Sequence, residues 1–320
     1  MRNPGQDGGA PGVVHCARVV NVSADWDRID AVQRMQDHIL KHYQEEITLN
    51  DLARAAAYSP WQALRAFSLL TGKTPFAYIR DVRLSEAAKA LRDTQRSVLD
   101  VALDAAFGSH EGFTKAFSRR FGLPPERYRR EAPPIQLFTY YSVRSYFKYL
   151  EGGEKKMSAS VVFTQVIERP ARKAIVKRGV KATEYFEYCE EVGCEVWGVL
   201  ESVKGALYES IGMWMPEAMR PENTSEYCQG VEVPADYAGP VPEGFDLVDL
   251  PPAKYLVFQG EPYDDEHFEE AIVAVWSAIE RFDPTRFGWE WAPEDGPRFQ
   301  LEPRGSRGYI EGRPVREYKG

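Results

Sequence analysis

The chain has 320 residues, 43% of them hydrophobic and 28% charged, with a formal net charge of -8 and a pI near 5.4. That length suits two globular domains with their own cores, and the composition excludes a low-complexity or collagen-like polymer. No stretch nears the roughly 18 apolar residues of a membrane helix, and the opening MRNPGQDGGAPG lacks an apolar signal core. The four cysteines, Cys16, Cys189, Cys194 and Cys228, form no CxxC pair, so a cytoplasmic protein with reduced thiols, no metal site and no cofactor is expected.

The charge is unevenly divided. Residues 25–131 carry 17 basic against 15 acidic side chains, whereas residues 132–320 carry 21 against 32. A nucleic-acid footprint therefore has to be sought in the first of these segments.

Residues 1–24 read as a disordered segment. From Asp27 the pattern turns helical, with Ile29, Val32, Ile39, Leu40 and Tyr43 on one face. Thr48 with Asp51 then caps a helix over 48–56, and Ser59-Pro60 opens one over 60–70. Thr74-Pro75 opens 75–92, Ser97 with Asp100 caps 97–105, and Ser109 caps 110–121. These spacings predict two helix–turn–helix units. Their second helices turn Ala63, Phe67, Leu70 and Phe113, Ala116, Phe117, Phe121 inward. They turn Trp61, Gln62, Arg65, Ser68 and His110, Glu111, Thr114, Lys115, Ser118 outward. A plain bundle with a solvated basic face has the same periodicity. The matched caps and short turns favour paired readers of DNA, as does a connector of about 18 residues spanning about 27 Å, close to one DNA turn of about 34 Å.

The stretch ITLNDLARAAAYSPWQALRAFSLLTGKTPFAYIRDVRLSEAAKALRDTQRSVLDVALDAAFGSHEGFTKAFSRRFGLPPERYRR resembles the DNA-binding domain of the AraC/XylS family of bacterial transcription regulators. The resemblance covers about residues 28–131, a third of the chain. It implies an all-α domain, 25–131, whose two helix–turn–helix units enter successive major grooves of double-stranded DNA without needing a dimer. Carried over by position, Trp61, Leu64 and Arg65 of the first unit meet bases, as do His110, Glu111 and Lys115 of the second. Arg119, Arg120, Arg129 and Arg130 fall at phosphates or in solvent. Arg65 suits bidentate pairing with guanine and Trp61 a thymine methyl. Alanine stands at 57 and 106, where the family usually has glycine. If those positions are left-handed, each alanine costs roughly 1 kcal/mol.

Residues 132–157 read as a linker, with Pro133-Pro134 ending the helical domain, SYFKYL a short helix and Gly152-Gly153 giving slack. Beyond Ser158 strand-like alternation carries an internal echo. RPARKAIVKRG and PPAKYLVFQGEP are each followed by a helical stretch (182–192 and 264–282) and then by two strand candidates. The expected fold is an α+β domain, 158–320, of two β-α-β-β repeats forming one antiparallel sheet, with helices on one face and a cleft between the halves.

The segments GVEVP, LPPAKYLVFQGEPY and RFQLEPRGSRGYIEGRPV are similar to the GyrI-like effector-binding domain, and the domain order is that of a Rob-like subgroup of AraC-type regulators. The resemblance implies a cleft for a bulky, aromatic or cationic small molecule, as in multidrug sensing. Glu302 is the first choice for its acid, Glu311 and Glu232 are alternatives, and Gln300 stands close by. Trp197, Tyr208, Trp214, Phe299 and Tyr309 are its aromatic candidates, and a desolvated cation–π contact adds up to about 2 kcal/mol. The function expected is a ligand-responsive transcription regulator and not an enzyme. Two alternatives share the sequence: a second domain that hydrolyses small electrophiles with a pocket glutamate, or one that serves only as a docking surface for RNA polymerase or another protein.

Overall fold

The structure, a computed structural model, describes residues 25–151, 161–264 and 267–319. The expectations placed on 1–24 and on Gly152-Gly153 lie outside the described residues. The helical half contains α1 (Trp26–His42), α2 (Leu49–Ala56), α3 (Pro60–Thr71), α4 (Pro75–Asp93), α5 (Val98–Asp104), α6 (His110–Phe121) and α7 (Pro125–Glu131). Each expected cap is made. Thr48 and Ser59 close reciprocal boxes with Asp51 and Gln62, and the Thr74, Ser97 and Ser109 hydroxyls accept from the third residue of their helices.

The turns that join α2 to α3 and α5 to α6 need a left-handed residue, and alanine supplies it at φ 56° in Ala57 and 55° in Ala106. The Cβ of an L-residue is strained there, so Ala57→Gly and Ala106→Gly are each expected to stabilise the domain by about 0.5–1 kcal/mol, the relief of strain outweighing the added freedom of the unfolded chain. A rise in the urea midpoint of each variant checks this, and a fall would mean that the turns tolerate Cβ without cost.

The long helix α4 serves two cores in succession. Its Tyr78, Ile79 and Val82 join Ile29, Val32, Met35, Leu52, Phe67 and Leu70 around the first unit. Its Leu84, Ala87, Ala88 and Leu91 join Val98, Val101, Phe113, Phe117 and Tyr128 around the second. The stretch expected to be a linker is packed instead. Ile135 and Leu137 are buried in the second core, and Val143 and Phe147 of α8 (Val143–Glu151) in the first. Gln36 and Gln33 of α1 donate to the Tyr141 carbonyl at 2.9 Å and the Tyr140 hydroxyl at 2.7 Å, which fastens this segment to the helical half.

The second half is built on one open antiparallel sheet. Its strands are β1 (Phe163–Arg169), β2 (Arg172–Arg178), β3 (Ile211–Trp214), β4 (Tyr227–Pro234), β5 (Asp246–Leu250), β6 (Ala253–Gln259), β7 (Trp289–Trp291), β8 (Arg298–Leu301) and β9 (Ile310–Glu317). The order is β1-β6-β9-β8-β3-β4-β2-β5, with β7 also paired to β9. Helices α9 (Tyr185–Glu191) and α10 (Val196–Glu201) cover Ile175, Val231 and Val233, and α11 (Phe268–Arg281) covers Leu256 and Phe258. Cross-strand register puts all of these on one face, with Gln229, Gly212, Gln300 and Glu311 between the two helical groups. The opposite face buries Ala174, Val176, Ile211, Met213, Tyr255, Val257 and Phe299.

Candidate DNA-reading face and effector cleft

The outward face of α3 carries Trp61, 65% exposed, and Arg65, whose guanidinium carbon lies 5.3 Å from the Trp61 ring centroid. Stacking on the indole orders the planar guanidinium of that arginine. Leu64 is half-buried beside it. Gln62, expected on the outward face, is turned back into the cap, where its side-chain oxygen accepts from the Ser59 amide at 3.1 Å. On α6, His110, Glu111, Lys115 and Arg119 are exposed. Glu111 lies in the first turn, where a carboxylate favours the helix dipole. The remaining arginines have carboxylate neighbours within the domain. Arg120 lies 3.7 Å from the buried carboxylate of Asp81, Arg129 pairs with Glu126 at 3.0 Å and Arg130 with Glu131 at 2.8 Å.

Among the described residues the second half holds two buried carboxylates, and Glu302 is neither of them. Glu302 is half-exposed and paired with Arg304 at 2.6 Å. Glu232 is 1% exposed, with Arg169 and Arg172 clamped on its two oxygens. Arg169 in turn lies over Phe299 at 4.2 Å and Tyr208 at 4.5 Å. This cage is filled by the protein's own cation. Glu311 is fully buried on the helix-bearing face and receives Arg298 at 2.8 Å, Arg313 at 2.8 Å and the Trp276 indole at 3.0 Å. Tyr309 is buried against it, and burial pushes that hydroxyl well above the ordinary tyrosine range.

Arg298 stacks on Trp214, its guanidinium carbon 4.0 Å from the ring centroid. It faces a cavity of about 500 Å³ lined by Trp214, Met215, Ile279, Trp291, Arg298 and Arg313, among others. Nearby, the Tyr227 hydroxyl and both ends of the Gln229 amide are buried without a hydrogen-bond partner among the described residues. Native interiors seldom leave such groups unpaired. The five aromatic candidates therefore separate: Trp214 lines this cavity, Phe299 and Tyr309 are core, and Trp197 and Tyr208 lie elsewhere.

Elsewhere is the junction of the two halves. Trp197 and Tyr208 line a second cavity, about 250 Å³, together with Lys89 and Arg92 of α4. Glu201, ending α10, pairs with Lys89 at 3.1 Å, and its carbonyl accepts from Arg92. Although burial opposes its charge, Glu201 and Glu86 hold the Lys89 ammonium above its usual pKa. The Ser202 hydroxyl accepts from the Ile135 amide at 2.8 Å, and the Cys194 and Glu195 carbonyls accept from Tyr141 and Gln136. Gly198 makes the approach possible, because a Cβ there would lie 2.2 Å from the Leu137 carbonyl oxygen. None of this junction is visible as a motif. Its only sequence signal is the small residue in VWGVL.

Two capped helix–turn–helix units on one connector, each with an exposed polar face, define a DNA-binding domain of the tandem type. Residues 52–131 match the model of a family described as a helix-turn-helix domain. Over 118 residues the chain is 38% identical to transcriptional regulator Rob of Salmonella typhimurium, a match spanning 34% of this chain and 41% of that one. Over 98 residues it is 34% identical to regulatory protein SoxS of the same organism, spanning 31% of this chain and 92% of that one. The solved DNA-binding domain of AdpA, in complex with a target DNA, is 29% identical, with 32% of this chain and 91% of that chain covered and a TM-score of 0.31. The chain belongs to the AraC family of DNA-binding transcription regulators. It spans 41% of the length of the Rob sequence it matches, and that match covers only 34% of this chain. Among the described residues no helix is long and apolar enough to cross a membrane.

Proposed function

We propose that this chain is a ligand-responsive transcription regulator: α3 and α6 read successive major grooves, and a small molecule held by the second half alters the affinity for DNA. The observation that carries the second clause is the junction, where α10 grips α4 through Glu201 and the 132–142 segment through Ser202, Glu195 and Cys194. Movement of α10 is transmitted to the helix that carries both reading units, which is the physical content of a coupling free energy between sites.

The strand order supports a duplicated, GyrI-like domain, since β1 to β4 and β5 to β9 (leaving out β7) are arranged alike about the β3–β8 pair, each half lending its first strand to the other. The effector cleft lies on the helix-bearing face, and its acid is Glu311 rather than Glu302. A planar aromatic cation takes the place of Arg298 on Trp214 and shares the Glu311 carboxylate, with Tyr227 and Gln229 offering hydrogen bonds to its polar groups.

The test is a thermal shift of the protein against cationic, neutral and anionic aromatic compounds, paired with DNA affinity. A cation at 100 times its Kd adds about 2.7 kcal/mol of stability. That shift and the change in DNA affinity are expected to persist in Glu302→Gln and to vanish in Glu311→Gln. No shift with any compound, and DNA affinity indifferent to all of them, would contradict the proposal.

A further inference from the structure

The two reading units share no core among the described residues: α3 is embedded in the first cluster and α6 in the second, and α4 is the one helix that belongs to both, joined there by the 135–147 segment packed along it. Their relative pose is therefore set by α4 and by whatever bridges to it. One side chain is placed to do this. Asp81 lies on α4 where the helix passes from the first core, at Val82, to the second, at Leu84, and it is 7% exposed. Its carboxylate receives Lys73, from the turn that follows α3, at 2.8 Å and faces Arg120, near the end of α6, at 3.7 Å. The Lys73 ammonium also lies 5.5 Å from the ring centroid of Phe138, whose own amide is held by Ser85 of α4 at 2.7 Å. One buried carboxylate thus meets a cation from each unit, and the first of these cations also rests on the segment that leads to the second half.

We infer that Asp81 is a positioning residue for DNA recognition, fixing α3 relative to α6 and so selecting the separation of the two half-sites. The physical ground is that a desolvated ion pair adds little net stability but disfavours every arrangement in which its charges part. Rotation or sliding of either unit about α4 would leave Asp81 buried against one cation instead of two. Lys73 and Arg120 keep side-chain exposures of 32% and 27%, so a variant that releases them lets both turn to water and leaves the two cores intact. Asp81 touches no DNA in this account. It acts through the helices it aligns, and so it rests on α3 and α6 both reading bases.

The experiment uses the full chain and a duplex selected by it from a random pool, together with versions carrying one base pair more or less between the half-sites. Each change moves one half-site by about 3.4 Å and turns it by about 35°. The wild type is expected to lose about tenfold in affinity on either change, the scale of one disrupted base contact. Asp81→Asn and Arg120→Met are expected to hold all three spacings within about threefold of one another, while Asp81→Glu restores the preference. Arg120→Met serves because it leaves Asp81 and Lys73 paired even if Asp81→Asn folds poorly. Wild-type spacing profiles in both variants would overturn the inference. So would a loss of the same size at every spacing, which is what a purely structural role or a lost phosphate contact gives. A flat profile in the wild type would instead overturn the reading of α3 and α6 as paired readers, and the inference with it.

Discussion

Glu232→Ala is expected to destabilise the second half by about 3–5 kcal/mol, because it strands two buried guanidinium groups. Arg172 has no exposed side-chain surface and Arg169 only 5%. Arg172 keeps the Pro251 carbonyl at 3.1 Å and the Tyr255 hydroxyl at 3.0 Å, but neither carries charge to balance it. Arg169 keeps only aromatic faces. The two cannot turn to water without opening the core on the helix-free face of the sheet, where Tyr255 and Phe299 pack against them. Glu311→Ala makes an instructive contrast. It removes an equally buried carboxylate, yet Arg298 and Arg313 retain 28% and 33% side-chain exposure and border a cavity. They can be solvated in place, so the loss there is expected to be clearly smaller. Urea unfolding of the two variants, followed by tryptophan fluorescence, checks the order. Equal losses would mean that exposure does not decide the cost of an unpaired arginine here.

Arg65→Ala is expected to cost about 1–3 kcal/mol on a selected DNA site and to relax the preference for guanine at one position. Because the Trp61 ring already orders the guanidinium, less side-chain entropy is lost when the fork meets a base. Trp61→Ala is therefore expected to weaken binding in part through Arg65, and the two losses should not add. Arg65→Lys should fail to restore the preference, since an ammonium offers no planar fork. Fluorescence anisotropy on duplexes with each base at the contacted position provides the measurement. An unchanged base preference in Arg65→Ala would remove this side chain from base readout.

The helical half was legible because its signals are local. A cap, a proline at the first helical turn and an apolar period of three to four all lie within a dozen residues, and Thr48, Ser59, Thr74, Ser97 and Ser109 each announce a helix start that the structure contains. Even the odd alanines were visible, and their left-handed turns follow from the short connection they have to close. For Arg120 the sequence shows no partner, because Asp81, which lies 3.7 Å from it, is thirty-nine positions away. In the second half β2, β4 and β6 fall within the expected segments and β9 overruns its own by one residue, whereas β5 and β7, of five and three residues, are too short to show an alternation. That Glu311 is buried and Glu302 is not was hidden from the sequence for a related reason. Alternation shows that Glu302 and Glu311 lie on strands or beside them. Which face is buried depends on register with partners far away in sequence, such as Phe258 opposite Glu311. The pairing of Glu232 with Arg169 and Arg172 likewise joins strands that no local pattern connects.

One chain is expected to place two reading helices against DNA at once. Hydroxyl-radical footprinting of the full chain on a selected duplex tests it most directly. Two protected patches are expected on one face of the duplex, their centres about 10 base pairs apart, with the patch under α3 lost in Arg65→Ala and that under α6 kept. A single patch, or two patches that disappear together in that variant, would contradict it.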